Sequence, residues 1–297
     1  MCQFKSAICL KDRVFVPDYN SHSKMLEELH IEDDFVHASK VFVRVELVPE
    51  DGDKTSDVDE WKLNVDQDVL PDWWNENDCL PRIKAAVKVW CYNHILRTGM
   101  HTVRDGIWYA CGNATVVAFD NASVKAYNSA GVEAWGNATV VAYGNASVKA
   151  YGNASVKAHG NASVVAYNST SVEVFDDASV VAHGNASVGA HGNASVKAFD
   201  DASVEAFDDA SVKAYGNARV EAFDDASVVA YNSTSVEVFD DASVEAFDDA
   251  RVVAFDEASV KLPKYFQTLK PVLLHDKAIC INYKDHTIQS PVKWEQK

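Results

Sequence analysis

What this sequence lacks narrows the field first. No apolar run reaches the ~18 residues that a membrane-spanning helix needs. The stretch from Met1 to Arg13 has no basic, apolar, small-residue order, so no secretory signal is expected. Cysteine is sparse, with 6 in 297 residues and no C-x-x-C pair. Cys2, Cys9, Cys79, Cys91, Cys111 and Cys280 are irregularly spaced. They read as reduced, buried thiols rather than a disulfide framework. No Gly-x-Gly-x-x-Gly, phosphate-binding Walker loop or Gly-x-Ser-x-Gly elbow occurs. The acidic clusters Asp33-Asp34, Asp57-Asp59-Glu60 and Asp66-Asp68 lack the Gly and closing Glu of a calcium loop and read as solvated loops. Positive charge is also short. Lys and Arg number 27 against 44 Asp and Glu, for a net charge of −17. An acidic surface repels nucleic-acid phosphates and anionic membranes, so neither is expected as a direct partner. These absences place the chain in a soluble, cytoplasmic class with no cofactor, no metal and no catalytic residue to assign.

What is present is a repeat. From Gly112 to Pro263 the chain repeats every eight residues, through 19 octads. The consensus is Gly/Asp/Asn, Asn/Asp/Ser, Ala, Ser, Val, variable, Ala, aromatic. The fifth position is always Val. The third is Ala except at Thr170 and Thr234. Positions three, five and seven alternate with four, six and eight, the period of a strand with one buried face. Positions one and two hold residues that favour turns and tolerate positive φ. Each octad is therefore a short strand plus a turn, and only stacking can bury its apolar face. The fold class is mainly β, a β-solenoid of octapeptide repeats with a small α+β N-terminal domain.

Two octads per coil is the favoured arrangement, with three the alternative. Small inward residues suit two facing sheets better than a triangular coil with a wide centre. The stretch Tyr167 to Val180 recurs unchanged at Tyr231 to Val244, an offset of 64 residues that is a whole number of 16-residue coils. Against this, Val recurs at the sixth position of every third octad, at Val117, Val141 and Val165.

The expected domains are an α+β capping or interaction domain (1–100), the solenoid (101–263) and a C-terminal β cap (264–297). Lys5 to Val16 and Val41 to Val48 read as strands, and Ser23 to His30 as a short helix. Pro81 to Leu96 reads as an amphipathic helix with Pro81 in its first turn and Ile83, Val87, Trp90, Cys91 and Ile95 on one face. Met100 to Cys111 reads as a degraded first coil. Ala278 to Tyr283 and Thr287 to Trp294 read as a closing hairpin.

Two surface features stand out in the repeat. The aromatic eighth position should stack coil upon coil, giving a ladder that includes Tyr143, Tyr151, Tyr167, Phe199, Phe207, Tyr215, Phe223 and Tyr231. His159, His183 and His191 share that slot and read as ladder members. With two octads per coil, Asp208, Asp209, Asp224, Asp225, Asp240, Asp241, Asp256 and Glu257 align on one edge as a candidate interaction surface. Stacked carboxylates repel, so this stripe should cost stability. Lys149, Lys157, Lys197 and Lys213 form an interspersed basic row.

Octads such as Ala150-Tyr151-Gly152-Asn153-Ala154-Ser155-Val156-Lys157 resemble the tandem octads of bacterial ice-nucleation proteins. The resemblance covers about half the chain and implies a similar repeat architecture. Lys, Glu, Val or Gly stand where an ice-binding face would carry Ser or Thr rows. The whole layout resembles uncharacterised octapeptide-repeat proteins of gut bacteria and their phages. They share a start like Met1-Cys2-Gln3-Phe4-Lys5-Ser6, stretches like Phe42-Val43-Arg44-Val45-Glu46-Leu47 and Val65-Asp66-Gln67-Asp68, then an Ala-Tyr-Gly-Asn tract. That resemblance implies a bacterial or phage origin and no particular activity.

The expected function is a non-enzymatic scaffold or protein-interaction module with an unknown protein partner. End-to-end pairing into a homodimer is compatible with open solenoid edges. One alternative is an acidic mimic of nucleic acid that blocks a nucleic-acid-binding protein. The other is a ligand-binding or enzymatic N-terminal domain.

Overall fold

The octads close two to a coil. In a computed structural model, which describes residues 4–50, 54–263, 272–282 and 287–290, each repeat strand pairs in parallel with the strand 16 residues away. Ser147 pairs with Ser163 and Val148 with Val164 in one sheet, while Ser155 pairs with Ser171 in the other. Alternate octads therefore feed alternate sheets, as the 64-residue recurrence requires. The every-third-octad Val signal has no counterpart in the pairing.

The chain divides into two compact units, Met1–Leu96 and Arg97–Lys297. In the second unit the four strand residues of each octad run from position four to position seven, as in Ser195–Ala198. Position three lies beside the strand but shares its inward face. Ala194 and Ala198 are 0% exposed and Val196 1%. Only short side chains fit between two sheets closed this tightly. The hydroxyls of Thr170 and Thr234 are buried but satisfied. Thr170 Oγ1 donates to Tyr167 O at 2.6 Å, and Thr234 Oγ1 donates to Tyr231 O. Successive coils are stitched through the backbone, with Tyr151 N donating to Ala134 O at 2.9 Å and Ser155 N to Ala138 O at 3.0 Å.

The stack extends beyond the octads at both ends. Met100–Val103 and Ile107–Ala110 pair with the first two repeat strands, as the degraded first coil predicts. Val272–Leu274 and Ile279–Asn282 continue the two sheets past Pro263. Their signal is a worn octad, His275-Asp276-Lys277-Ala278-Ile279-Cys280-Ile281-Asn282. It keeps the ring, the turn and the buried small residues. Thr287–Gln289 then pairs antiparallel with Ile279–Asn282, the closing hairpin. Tyr283 and residues 291–294 of the expected hairpin lie outside the described residues.

The N-terminal unit is a four-stranded antiparallel sheet with helices. β1 is Lys5–Leu10, β2 Val14–Phe15, α1 His22–Glu28, α2 Phe35–Ala38, β3 Phe42–Val48, β4 Lys62–Val65 and α3 Glu76–His94. The sheet order is β2-β1-β3-β4. The single strand expected over Lys5 to Val16 is a hairpin, because the chain turns back between Leu10 and Val14. β1 is buried on both faces, so no alternation marks its limits. Ile8, Leu10, Met25, Leu26 and Phe42 form one core cluster. α3 packs against β1 and β2.

α3 starts earlier than expected. Its cap is Asn75, whose side chain accepts from Asn77 N, and Glu76 and Asp78 occupy the first turn. Acids there complement the helix dipole. Pro81 is therefore inside the helix rather than in its first turn, where it lacks an N–H to donate. The buried face is Cys79, Ile83, Val87, Trp90 and Cys91.

Candidate functional site

The turns of the solenoid carry its most distinctive surface. The first turn residue of each octad is left-handed. Gly152 has φ +70°, Asp208 +56°, Asp224 +55° and Asp240 +54°. Gly takes this conformation freely, and Asp and Asn tolerate it best among the rest. The structure shows what Asp gains there. Asp208 Oδ2 accepts from Gly192 N at 2.9 Å, and Asp224 Oδ2 accepts from Asp208 N at 3.2 Å. Asp240 Oδ2 accepts in turn from Asp224 N at 3.4 Å. Asn232 Oδ1 does the same for Gly216 N at 3.4 Å, so a neutral amide also serves. Each carboxylate thus satisfies an N–H of the preceding coil. At these positions charge-assisted hydrogen bonds act against the repulsion expected between stacked carboxylates.

Both turn residues are exposed, the second row of Asp209, Asp225, Asp241 and Glu257 as well as Asp208, Asp224, Asp240 and Asp256. Lys277 caps the row with an ion pair to Glu257, which holds that carboxyl below its ordinary range. In this row Asn193 Nδ2 donates to Asp177 Oδ1, and at the opposite edge Asn217 Nδ2 donates to Asp201 Oδ1, each at 3.3 Å.

The aromatic positions form two ladders. Tyr151, Tyr167, Phe199, Tyr215 and Tyr231 belong to one. Tyr143, Phe207 and Phe223 belong to the other. Ring centroids along them are about one strand spacing apart, as at Tyr215 and Tyr231, 4.9 Å with the planes 3° from parallel. His183 stacks between Tyr167 and Phe199, and His191 between Phe175 and Phe207. His159 stacks between Tyr143 and Phe175. The three histidines are ladder members, split between the two ladders.

These features combine on one edge. Phe207, Phe223, Phe239 and Phe255 stack in sequence, and each is followed by an acidic pair. Four successive coils present Phe-Asp-Asp or Phe-Asp-Glu. The basic row is not a row. Lys149, Lys197 and Lys213 stand in one sheet and Lys157 in the other, because Lys157 lies in an even octad and the other three in odd ones. None lies in the acidic turns.

The N-terminal unit has its own polar site. An open depression of about 540 Å³ is lined by Asp33, Asp34, Arg44, Asp66, Gln67 and Asp68 among others. The acids of the N-terminal clusters are solvent-exposed, as expected, and several also have partners. Asp33 pairs with Arg44, and Asp34 caps α2. The His37 backbone N–H holds the Asp34 carboxyl below its usual range. Asp59 pairs with Lys88 at 2.6 Å. His22 meets Asp66 at 3.0 Å. The sequence reading missed His22, which has no motif around it. No family model, curated protein or solved structure matches this chain.

Proposed function

We propose that the repeat unit is a rigid, non-enzymatic interaction module whose binding surface is the acidic ridge beside the Phe ladder. The observation that carries this reading is the register of four consecutive coils, which lines up four stacked Phe rings with Asp208, Asp209, Asp224, Asp225, Asp240, Asp241, Asp256 and Glu257. A surface with this chemistry recognises a partner that offers Lys or Arg beside apolar groups. Repetition supports a scaffold over a catalyst, because it repeats one side-chain type down a column instead of converging different ones. No described helix is long and apolar enough to cross a membrane. The likeness to gut-bacterial and phage octapeptide proteins supports a bacterial or phage origin.

A second reading has its own support. Two carboxylates per coil, at a spacing of ~4.8 Å, give about one charge per 2.4 Å. Duplex DNA carries one per ~1.7 Å. With the lysines on the sheet faces, the ridge is a continuous anionic strip, as a nucleic-acid mimic requires. The test is capture from bacterial lysate by the full chain at low and high salt, beside a variant carrying Asp209→Asn, Asp225→Asn, Asp241→Asn and Glu257→Gln. The proposal predicts a partner lost from the variant. A nucleic-acid-binding partner released by salt supports mimicry. Equal capture by both proteins, or capture of nothing, overturns the ridge as a binding surface.

A further inference from the structure

We propose that the N-terminal unit binds a divalent transition-metal ion on His22, Glu46 and Asp66. This inference is independent of the ridge. His22 opens α1 and its ring is only 10% exposed. Its Nε2 lies 3.2 Å from Val45 O. A carbonyl oxygen can only accept, so Nε2 carries the proton and donates. That leaves Nδ1 as the nitrogen with the lone pair. Nδ1 faces Asp66 Oδ2 at 3.0 Å, and an ionised carboxylate also only accepts. Two lone pairs at this distance need a cation between them. A second ring proton would serve, and so would a metal ion.

Three features favour the metal. First, Glu46 neighbours Val45 on β3 and brings a third ligand. One ligand atom each from His22, Glu46 and Asp66 lie within 4.8 Å of one another. Asn64 Nδ2 donates to Glu46 Oε2 at 3.0 Å and orients it. Second, the bond from His22 to Val45 O fixes the tautomer and ring orientation, the usual second partner of a metal-bound imidazole. Third, Ser6 is the cross-strand partner of Glu46 in the β1–β3 register. Its side chain is fully buried, and Ser6 Oγ has no hydrogen-bond partner among the described residues. Partners directly opposite share a face, with Cβ atoms ~5 Å apart. An unpartnered, buried hydroxyl therefore lies on the sheet face that carries Glu46.

The ligand set chooses the ion class. One imidazole with two carboxylates suits zinc(II), manganese(II) or iron(II) better than calcium, which takes 6–8 oxygens. Two carboxylates also balance a divalent charge. Asp66 is 55% exposed, so an ion held on it would keep a solvent-facing position.

The test uses the untagged full chain, stripped with a chelator and titrated with zinc(II) by calorimetry. Cobalt(II) absorption is the second readout. The expected result is one saturable ion per chain. His22→Gln and Asp66→Asn should each weaken binding about tenfold or more. Glu32→Gln, in the separate Glu32–Asp34–His37 cluster, should leave the affinity within about twofold. Asp66→Asn alters a half-exposed side chain, which keeps the test valid if His22→Gln does not fold. No saturable uptake by the wild-type chain overturns the proposal and assigns the His22–Asp66 contact to a proton. Equal affinity in wild type and Asp66→Asn overturns it too.

Discussion

The two units reach a dry core by opposite routes. The N-terminal unit packs Ile8, Leu10, Met25, Leu26 and Phe42 between strands and helices that are distant in sequence. No two of its contacts are alike. The repeat unit uses Ala-Val-Ala in every octad, and each coil meets only its neighbours. In the first unit stability is concentrated in a few large side chains. In the second it is spread over many small, equivalent ones.

That difference sets the largest expected effect. Phe42→Ala deletes a ring that is 0% exposed in the small core. It should cost about 3–5 kcal/mol and unfold the N-terminal unit early in urea. Val196→Ala, in the middle of the stack, should cost about 2 kcal/mol, with the effect confined to adjacent coils. Tryptophan fluorescence, with Trp61, Trp73, Trp74 and Trp90 in the N-terminal unit, reports the first. Far-UV circular dichroism reports the strands of the second. Equal losses for the two variants would break the contrast.

A second prediction concerns charge inside the N-terminal core, where the repeat interior has none. Lys5 is 1% exposed and lies over the Trp90 ring, with Nζ 4.6 Å from its centroid. It donates to Pro17 O, and to Tyr19 O at 3.1 Å and Asn20 Oδ1 at 3.2 Å. Burial first, then the Lys54 ammonium, pull its pKa down to about 7 from 10.5. Between these two values the unfolded chain holds a proton that the folded chain has lost. Stability should therefore rise with pH from about 7 and level off above 10.5. The gain is of the order of a few kcal/mol. Urea unfolding at pH 7, 8.5 and 10 checks it, with Lys5→Met as the reference. Parallel pH profiles for wild type and variant would rule out Lys5 as the source.

The same contrast explains what could be read in advance. The solenoid was legible because its period states the strand, the turn and the buried face 19 times over. Coil size followed from an exact recurrence. The N-terminal unit offered no such redundancy. β1 is buried on both faces, so its hydrophobic run continued into the hairpin. The Asn75 cap of α3 was masked by the stronger but misplaced signal of Pro81. The carboxylate-to-backbone bonds were hidden for another reason. Repulsion between stacked acids follows from composition, whereas an N–H one coil away is visible only in three dimensions. His22 and Asp66 are 44 residues apart, and no local pattern joins them.

The smallest effects lie in the turns, and they separate the two acidic positions. At Asp208 the φ of +56° taxes any residue with a Cβ, while the carboxylate bond to Gly192 N returns part of that cost. Asp208→Asn should be within about 0.5 kcal/mol of wild type, since Asn232 already makes the equivalent bond. Asp208→Gly should be similarly mild, because relief of the backbone offsets the lost bond. Asp208→Ala keeps the strain and loses the bond, and should cost about 1–2 kcal/mol. At Asp209 the same exchange to Ala should be silent within about 0.5 kcal/mol, because that side chain is exposed and holds no backbone group. Thermal unfolding of the four variants gives the ranking. If Asp209→Ala costs as much as Asp208→Ala, the outer carboxylates also carry the fold. If the ranking holds, the outer row adds charge without adding stability.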